Sequence, residues 1–409
     1  MSLLISVCIV LGIVILVGTV IFLLDVVPLF RQWLSRIYIG RQQDTLAWSR
    51  LIRRKGLTWL HHTPVMKITD QTRITVLDRL KGQYSNPTLQ DWQHAALLLG
   101  LAEGEPDDAE RTGIHRFLNS CFHSDGRWRT KPVHVDSAIV AYSLFRTSSI
   151  EITSYRPALD DMYDLIQDHI GSDGTVQYRK RMADYRYVDT IGFICPFLIS
   201  YGLTFNKPNA IDLAIKQISA YIQYGMQANK WIPCHAYDVR TFDPLGIYGW
   251  GRGMGWFAIG LIDSWELLPQ NHTYKLKLQQ YVVDYARSIM ACQQPNGNWN
   301  WTVTRCESRP DSSATAMLCW FLIKAAAIPE LFVSCGASVS KGITYLKSVT
   351  RRDGAIEFSQ GDTKDIGHYS TLFGIMPFTQ GFAIRLSKFV KDEGLKEIIY
   401  EDNSVYANV

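Results

Sequence analysis

Leu3 to Leu24 form an unbroken, uncharged apolar run, LLISVCIVLGIVILVGTVIFLL. At about 1.5 Å per residue, a helix of this length crosses a hydrocarbon core roughly 30 Å thick. The pattern therefore predicts a membrane-spanning helix over residues 1–24. A cleaved signal, the alternative, has a basic start, a shorter apolar core and a small-residue cleavage site, and none of these is evident here. Residues 25–69 are polar, basic and Trp-containing, and read as a juxtamembrane stalk. From residue 70 onward the period is helical. TLQDWQHAALLLGLAEG, VDSAIVAYSLFRT, IDLAIKQISAYIQYGM and QQYVVDYARSIMACQQ place apolar side chains at i, i+3, i+4 and i+7. Strand-like alternation is scarce.

Turn dipeptides recur between these helices, each beside an aromatic or aliphatic residue: HSDGRW at Asp125, GSDGTVQY at Asp173, PNGNWNW at Asn296 and RRDGAIEF at Asp353. Their spacing is about 50 to 60 residues, except that the interval from Asp173 to Asn296 is about twice that, as if one repeat had lost its signature. Such a period accommodates two helices and two loops. Residues 70–409 then hold six helical hairpins, an all-α (α/α)6 toroid, expected to fold without the preceding segments. An open helical solenoid is the alternative, with shorter repeats and a more evident consensus. In a toroid the inner helices are parallel and present their amino termini at one mouth, where polar side chains find a cleft.

Composition narrows the possible partners. The chain is 47% hydrophobic, enough for a large core, and its formal charge is only +4, without a long Lys/Arg run in the body. Nucleic acid is therefore not an expected partner. The eight cysteines are scattered through apolar stretches without metal-type spacing, and read as free thiols. The amino flank of the apolar run carries no basic residue, whereas Arg31, Arg36, Arg41, Arg50, Arg53, Arg54 and Lys55 follow it. Positive residues favour the cytoplasmic side, which implies a single pass with a cytoplasmic body. The same charges also suit anionic lipid headgroups or a solvated helix face.

Two carboxylates stand directly before helices too apolar to lie on a surface: Asp136 in KPVHVDSAIVAYSLF and Asp189 in YRYVDTIGFICPFLISYG. Each suits a helix N-cap, where Asp contributes about 1 kcal/mol. A pair of acids at one mouth instead suits acid-base chemistry, because two nearby carboxyls split their pKa values. A helix amino terminus favours the carboxylate, so a general acid there requires burial or a like charge to keep its proton. His235, Trp250 and Arg252 lie in a Gly-rich approach to a further helix, CHAYDVRTFDPLGIYGWGRGMGWFAIG. No strand precedes the glycines, so this is not a dinucleotide fingerprint. Arg252 suits a bidentate carboxylate contact and Trp250 a sugar face; a capping Arg and a core Trp are the structural alternative.

At these residues the chain resembles glycoside hydrolase families 88 and 105, the unsaturated glucuronyl and rhamnogalacturonyl hydrolases, and family 105 most. The motifs are Val188-Asp189-Thr190 with Cys195-Pro196-Phe197-Leu198, His235-Ala236-Tyr237-Asp238, Trp250-Gly251-Arg252-Gly253-Met254-Gly255-Trp256 and Asp311-Ser312-Ser313-Ala314-Thr315-Ala316-Met317. The resemblance implies an (α/α)6 barrel that removes a terminal Δ4,5-unsaturated uronic acid from an oligosaccharide by hydrating its double bond, without metal or organic cofactor. It implies that Asp189 protonates C4 and activates the water added at C5, that Asp136 is the second carboxylate, and that His235, Trp250, Arg252 and Trp256 bind the unsaturated ring. Met254 stands where the family usually has Asn, and Gly192-Phe193 replaces an aromatic-Met pair, which implies an altered pocket. The other readings are a different helical-toroid enzyme, such as a conventional glycosidase or an epimerase, and a non-catalytic glycan-binding subunit of a polysaccharide assembly system.

Overall fold

Helices too apolar to face water on any side must be covered all round, and this requirement sets the architecture. The computed structural model describes residues 2–64, 76, 91–103 and 106–389. Six such helices form the inner ring: α3 (Asp91–Ala102), α5 (Ala138–Phe145), α7 (Val188–Thr204), α9 (Gly251–Leu267), α11 (Ser312–Ala325) and α13 (Pro377–Ser387). Each packs on the next, and α13 packs back on α3, so the ring closes. Outside it lie α4 (Asp108–Cys121), α6 (Arg156–Gln167), α8 (Pro208–Tyr224), α10 (Lys275–Ala291) and α12 (Phe332–Ser348), which are amphipathic. In α6, for example, Ala158, Leu159, Met162 and Ile166 are buried, and the charged residues point outward. This is the (α/α)6 toroid expected from the repeat.

Hairpin turns carry the chain from each outer helix to the mouth-side start of the next inner one. Gly126, Gly174, Gly297 and Gly354 all have φ between 72° and 89°, a conformation that a side chain disfavours. Asp125, Asp173 and Asp353 each accept the backbone N–H two residues on, closing the turn locally. The repeat without a signature lies between α8 and α9, where Met226 pairs with Pro233 and Asn229 (φ 59°) turns the chain in place of glycine.

The amino-terminal segments differ from the expected stalk. α1 (Ser2–Arg36) continues beyond residue 24 as one helix, and α2 (Thr45–His61) packs on the outside of α3, α4 and α13. Trp48, Ile52, Trp59 and Leu60 of α2 are buried, and Arg53 donates through Nε and Nη2 to Glu110, both at 2.7 Å. Residues 45–61 thus belong to the helical body. Their basic composition hid one apolar face. The expected boundary at residue 70, the start of the helix expected at residue 88 and the tail beyond residue 389 lie outside the described residues.

The end of the ring opposite the mouth is sealed by charge. Arg385 donates to Asp263 at 2.7 Å and to Glu103 at 3.2 Å, while Tyr142 and Trp320 also donate to Asp263. Burial alone would raise the Glu103 carboxyl, but Arg385 and Arg146 hold it down to about 2. Removing one partner from such a network costs far more than the intact network contributes.

Candidate active site

Short strands at the mouth bring separate segments together. β1 (Tyr185–Tyr187) leads into α7 and pairs antiparallel with β2 (Ala236–Asp238), which pairs with β3 (Pro244–Leu245). The register sets Tyr187 opposite Ala236, and the Val188 N–H donates to the His235 carbonyl at 3.0 Å. Asp189, in the first turn of α7, therefore stands beside His235, with 3.7 Å between Asp189 Oδ2 and His235 Nε2.

A second hairpin forms the facing wall. β4 (Ser359–Gln360) pairs with β5 (Phe373–Gly374), and the connecting loop brings in Asp362, Thr363, Lys364 and Asp365. Asp311 fixes it by capping α11 and accepting the Gln360 N–H at 3.0 Å. Arg252 then donates through Nη1 and Nη2 to the carbonyls of Gln360 (2.7 Å) and Gly361 (2.8 Å). Trp250 donates to Gln360 Oε1 at 2.9 Å. The D-S-S and W-G-R-G-M-G-W motifs are thereby joined through one hairpin.

The pocket between these walls, about 180 Å³, is lined by Asp189, His235, Arg252 and Trp256, together with Trp92, Phe193, Tyr178, Tyr187, Arg179 and Arg181. Trp250 is buried behind His235, with ring centroids 4.6 Å apart, and lies outside the lining. Asp136 lies outside it too. It occupies a 3-10 turn before α5, where it accepts from Arg179 at 2.9 Å and from Tyr178 at 3.3 Å. Arg179, which does line the cavity, thus stands between Asp136 and the pocket. Neither α5 nor α7 has a side-chain N-cap hydrogen bond, so neither acid is used as a cap there.

Burial dominates the electrostatics. It pushes the Asp189 carboxyl up to about 7 against the pull of Arg252 and its own backbone N–H, with Asp362 pushing in the same direction as burial. The expected conflict with the helix amino terminus is therefore resolved in favour of the proton. Asp189 Oδ2 and His235 Nδ1 are both buried without a hydrogen-bond partner within the protein. Burial and Arg252 push His235 down to about 3, so its ring is neutral at physiological pH. The arrangement offers a protonatable acid, a neutral imidazole and cationic side chains for an anionic ring.

Gly192 and Phe193 shape this pocket directly. A Cβ on Gly192 would stand 2.6 Å from the Trp256 ring, and Phe193 packs on the same indole at 4.3 Å between centroids. Met254 does not line it; its side chain is in the core. Sequence reasoning missed Arg179, Arg181 and the 362–365 loop. The string Arg179-Lys180-Arg181 reads as a solvated charge run, and nothing periodic marks the loop.

A closed ring of six helix pairs with a half-buried acid at its mouth is the class of helical-toroid proteins that the motifs suggested. The chain belongs to Glycosyl Hydrolase Family 88, whose profile matches residues 65–384. Unsaturated rhamnogalacturonyl hydrolase YesR of Bacillus subtilis is 19% identical over 300 residues, covering 71% of this chain and 85% of that protein. Protein Atu3128 of Agrobacterium fabrum is 28% identical over 143 residues, which is 32% of this chain and 60% of that relative's length. Among solved structures, a possible member of GH105 family from Klebsiella pneumoniae superposes with a TM-score of 0.70 at 18% identity, covering 86% of this chain and 96% of that one.

Proposed function

We propose that the chain removes a terminal Δ4,5-unsaturated uronic acid from an oligosaccharide by hydration. The observation that carries this reading is Asp189, half-buried in the pocket with its carboxyl near 7 and its buried Oδ2 unpartnered. Family membership and the name of the Bacillus subtilis relative point to the same substrate class. The protonated Asp189 delivers its proton to C4, and the resulting carboxylate takes a proton from the water that adds to C5. The C5 hemiketal formed opens at its bond to the ring oxygen, leaving a hemiacetal at C1 that expels the remaining saccharide as an alcohol. One water is consumed, and Asp189 ends as it began.

Arg252 keeps three N–H bonds after its two carbonyl contacts, and with Arg179 and Arg181 it supplies positive charge for the uronate. Trp256, Trp92 and Phe193 form the apolar face for the ring. His235, neutral beside Asp189, hydrogen-bonds the substrate; Trp250 and Asp136 act one step back, holding His235 and Arg179. The test is loss of the ultraviolet absorbance of the conjugated enol-uronate on incubation with an unsaturated disaccharide. Cleavage that leaves this absorbance intact would refute hydration.

Residues 3–24 are long and apolar enough to cross a bilayer, and none of them is buried. We read them as a single-pass anchor with the body on the cytoplasmic side. Of the basic flank, Arg36, Arg53 and Lys55 are used in ion pairs with Glu357, Glu110 and Asp353, which leaves the exposed Arg31, Arg41, Arg50 and Arg54 as the orienting charge.

A further inference from the structure

α1 is attached to the same hairpin that walls the pocket. Arg36 donates to Glu357 Oε1 at 2.7 Å and to the Phe373 carbonyl at 3.4 Å, and its guanidinium lies 5.1 Å from the Phe358 ring. The Gly40 N–H donates to the Thr350 carbonyl at 3.0 Å. Glu357 is fully buried and is also paired with Arg351. Glu357 and Phe358 run straight into β4, Phe373 lies in β5, and the loop between these strands carries Asp362 to Asp365 into the pocket. The carboxyl end of α1 therefore sits on the mouth of the toroid, away from the end sealed by Arg385 and Asp263.

The apolar run is continuous with this docked end. Ser2 to Arg36 is a single helix, so the last residue of the run, Leu24, lies about 18 Å along the axis from Arg36. The intervening surface suits a membrane interface. Phe30 and Trp33 are 54% and 60% exposed and stack on one another, Arg31 is exposed, and just beyond Arg36 the Tyr38 ring is flanked by the guanidinium groups of Arg41 and Arg352. Exposed aromatics beside cations are what headgroups accommodate.

We infer that the pocket opens on the membrane-proximal side of the body, so that the chain acts on uronyl-terminated glycans carried on a lipid at the bilayer surface. This rests on the readings of the apolar run as an anchor and of the pocket as a uronyl site. Tethering would give an enzyme with this orientation a millimolar effective concentration of substrate in its own membrane.

The test places the full chain in vesicles of phosphatidylcholine and phosphatidylglycerol with nitroxide headgroups. A fluorophore is attached at His368→Cys, on the mouth-side loop, or at Leu276→Cys, at the far end, after the exposed thiols Cys8 and Cys306 are replaced by Ser. Quenching at His368 and none at Leu276 is expected; equal quenching, or quenching at Leu276 alone, would overturn the orientation. Release of the chain by carbonate wash would overturn the anchor. In the activity arm, a lipid-linked unsaturated uronyl saccharide in the same vesicles should turn over at least about tenfold faster with the anchored chain than after protease release at an inserted site following Gly40. Soluble disaccharide should react equally with both forms. Equal rates on the lipid-linked saccharide would overturn the substrate assignment. Failure of both saccharides to react would count against the hydrolase reading, while the quenching result, which needs no chemistry, would still decide the orientation.

Discussion

Asp189→Asn should abolish turnover and, against the usual effect of changing a buried residue, should gain stability relative to the parent as pH rises. The carboxyl lies near 3.8 when unfolded and near 7 in the fold. The native state therefore binds the extra proton between these values, and the parent loses stability as pH rises through that window. At about 1.36 kcal/mol per tenfold, the full interval corresponds to about 4 kcal/mol. Asn carries no such penalty, although its buried amide can cost about 1 to 3 kcal/mol if unpaired. That offset is the same at every pH, so the quantity to measure is the difference between variant and parent at pH 8 minus the difference at pH 4.

His235 sets the background for this measurement. Its folded value, about 3, lies below the ordinary 6.5, so protonation favours the unfolded state and stability climbs as pH rises through that range. In the parent, the Asp189 penalty opposes this climb; in Asp189→Asn the climb should stand alone. Urea unfolding of the full chain in detergent, followed by Trp fluorescence at several pH values, gives the comparison. Turnover by the variant should fall by about 10³-fold or more, since each general acid-base role contributes about 10² to 10⁴. A stability difference that does not change between pH 4 and pH 8 would mean that Asp189 titrates as an ordinary surface acid. The proton-donor assignment would then be refuted whatever the activity did.

The remaining expectations concern the frame around this acid. Removing residues 1–43 should leave a folded body with a cooperative melt, whereas removing 1–69 also deletes Trp48, Ile52, Trp59 and Leu60 from the core. At about 1.5 to 3 kcal/mol per buried side chain that loss rivals the whole stability of a domain, so circular dichroism should show no cooperative transition. Arg252→Lys should raise KM more than it lowers kcat on an unsaturated disaccharide, because one ammonium cannot reproduce the fork to Gln360 and Gly361 while also meeting a uronate. Arg385→Met should destabilise by about 3 to 5 kcal/mol, leaving the buried Asp263 without a cationic partner and Glu103 dependent on the more exposed Arg146; a urea midpoint equal to the parent's would refute that account.

Much of the ring was legible because its signals are local. Apolar runs and positive-φ glycines are fixed by residues a few positions apart, so Asp125, Asp173, Asn296 and Asp353 mark their turns without tertiary information. Asn229 supplies the same reversal without a glycine, which is why the turn signature is missing from that repeat. α2 reads as part of a stalk because Arg50, Arg53, Arg54 and Lys55 dominate its composition, although Trp48, Ile52, Trp59 and Leu60 share one helical face. Arg53 turns inward only because Glu110, from another helix, waits there. The Arg385, Asp263 and Glu103 cluster is equally non-local, since each residue alone reads as an ordinary charge near a helix end.

The same distinction divides the site. Asp189 and His235, which line the pocket, stand out in the sequence because they precede a helix or a Gly-rich approach, but Asp136 stands out equally there and lies outside the lining. The difference lies in what faces each. Arg179 donates directly to Asp136, whereas Asp189 lines the pocket beside His235 with Oδ2 unpartnered. Two acids before similar helices are therefore set apart by a residue from a third segment, Arg179, whose position depends on the turn after α6. On this geometry, Asp136→Asn should weaken the hold on Arg179 and act mainly through uronate binding, raising KM with a modest loss in kcat. Steady-state kinetics of Asp136→Asn beside Asp189→Asn decide the matter. An equal collapse of kcat in both, with KM unchanged for Asp136→Asn, would place Asp136 at the reacting atoms and refute its assignment as a positioning residue.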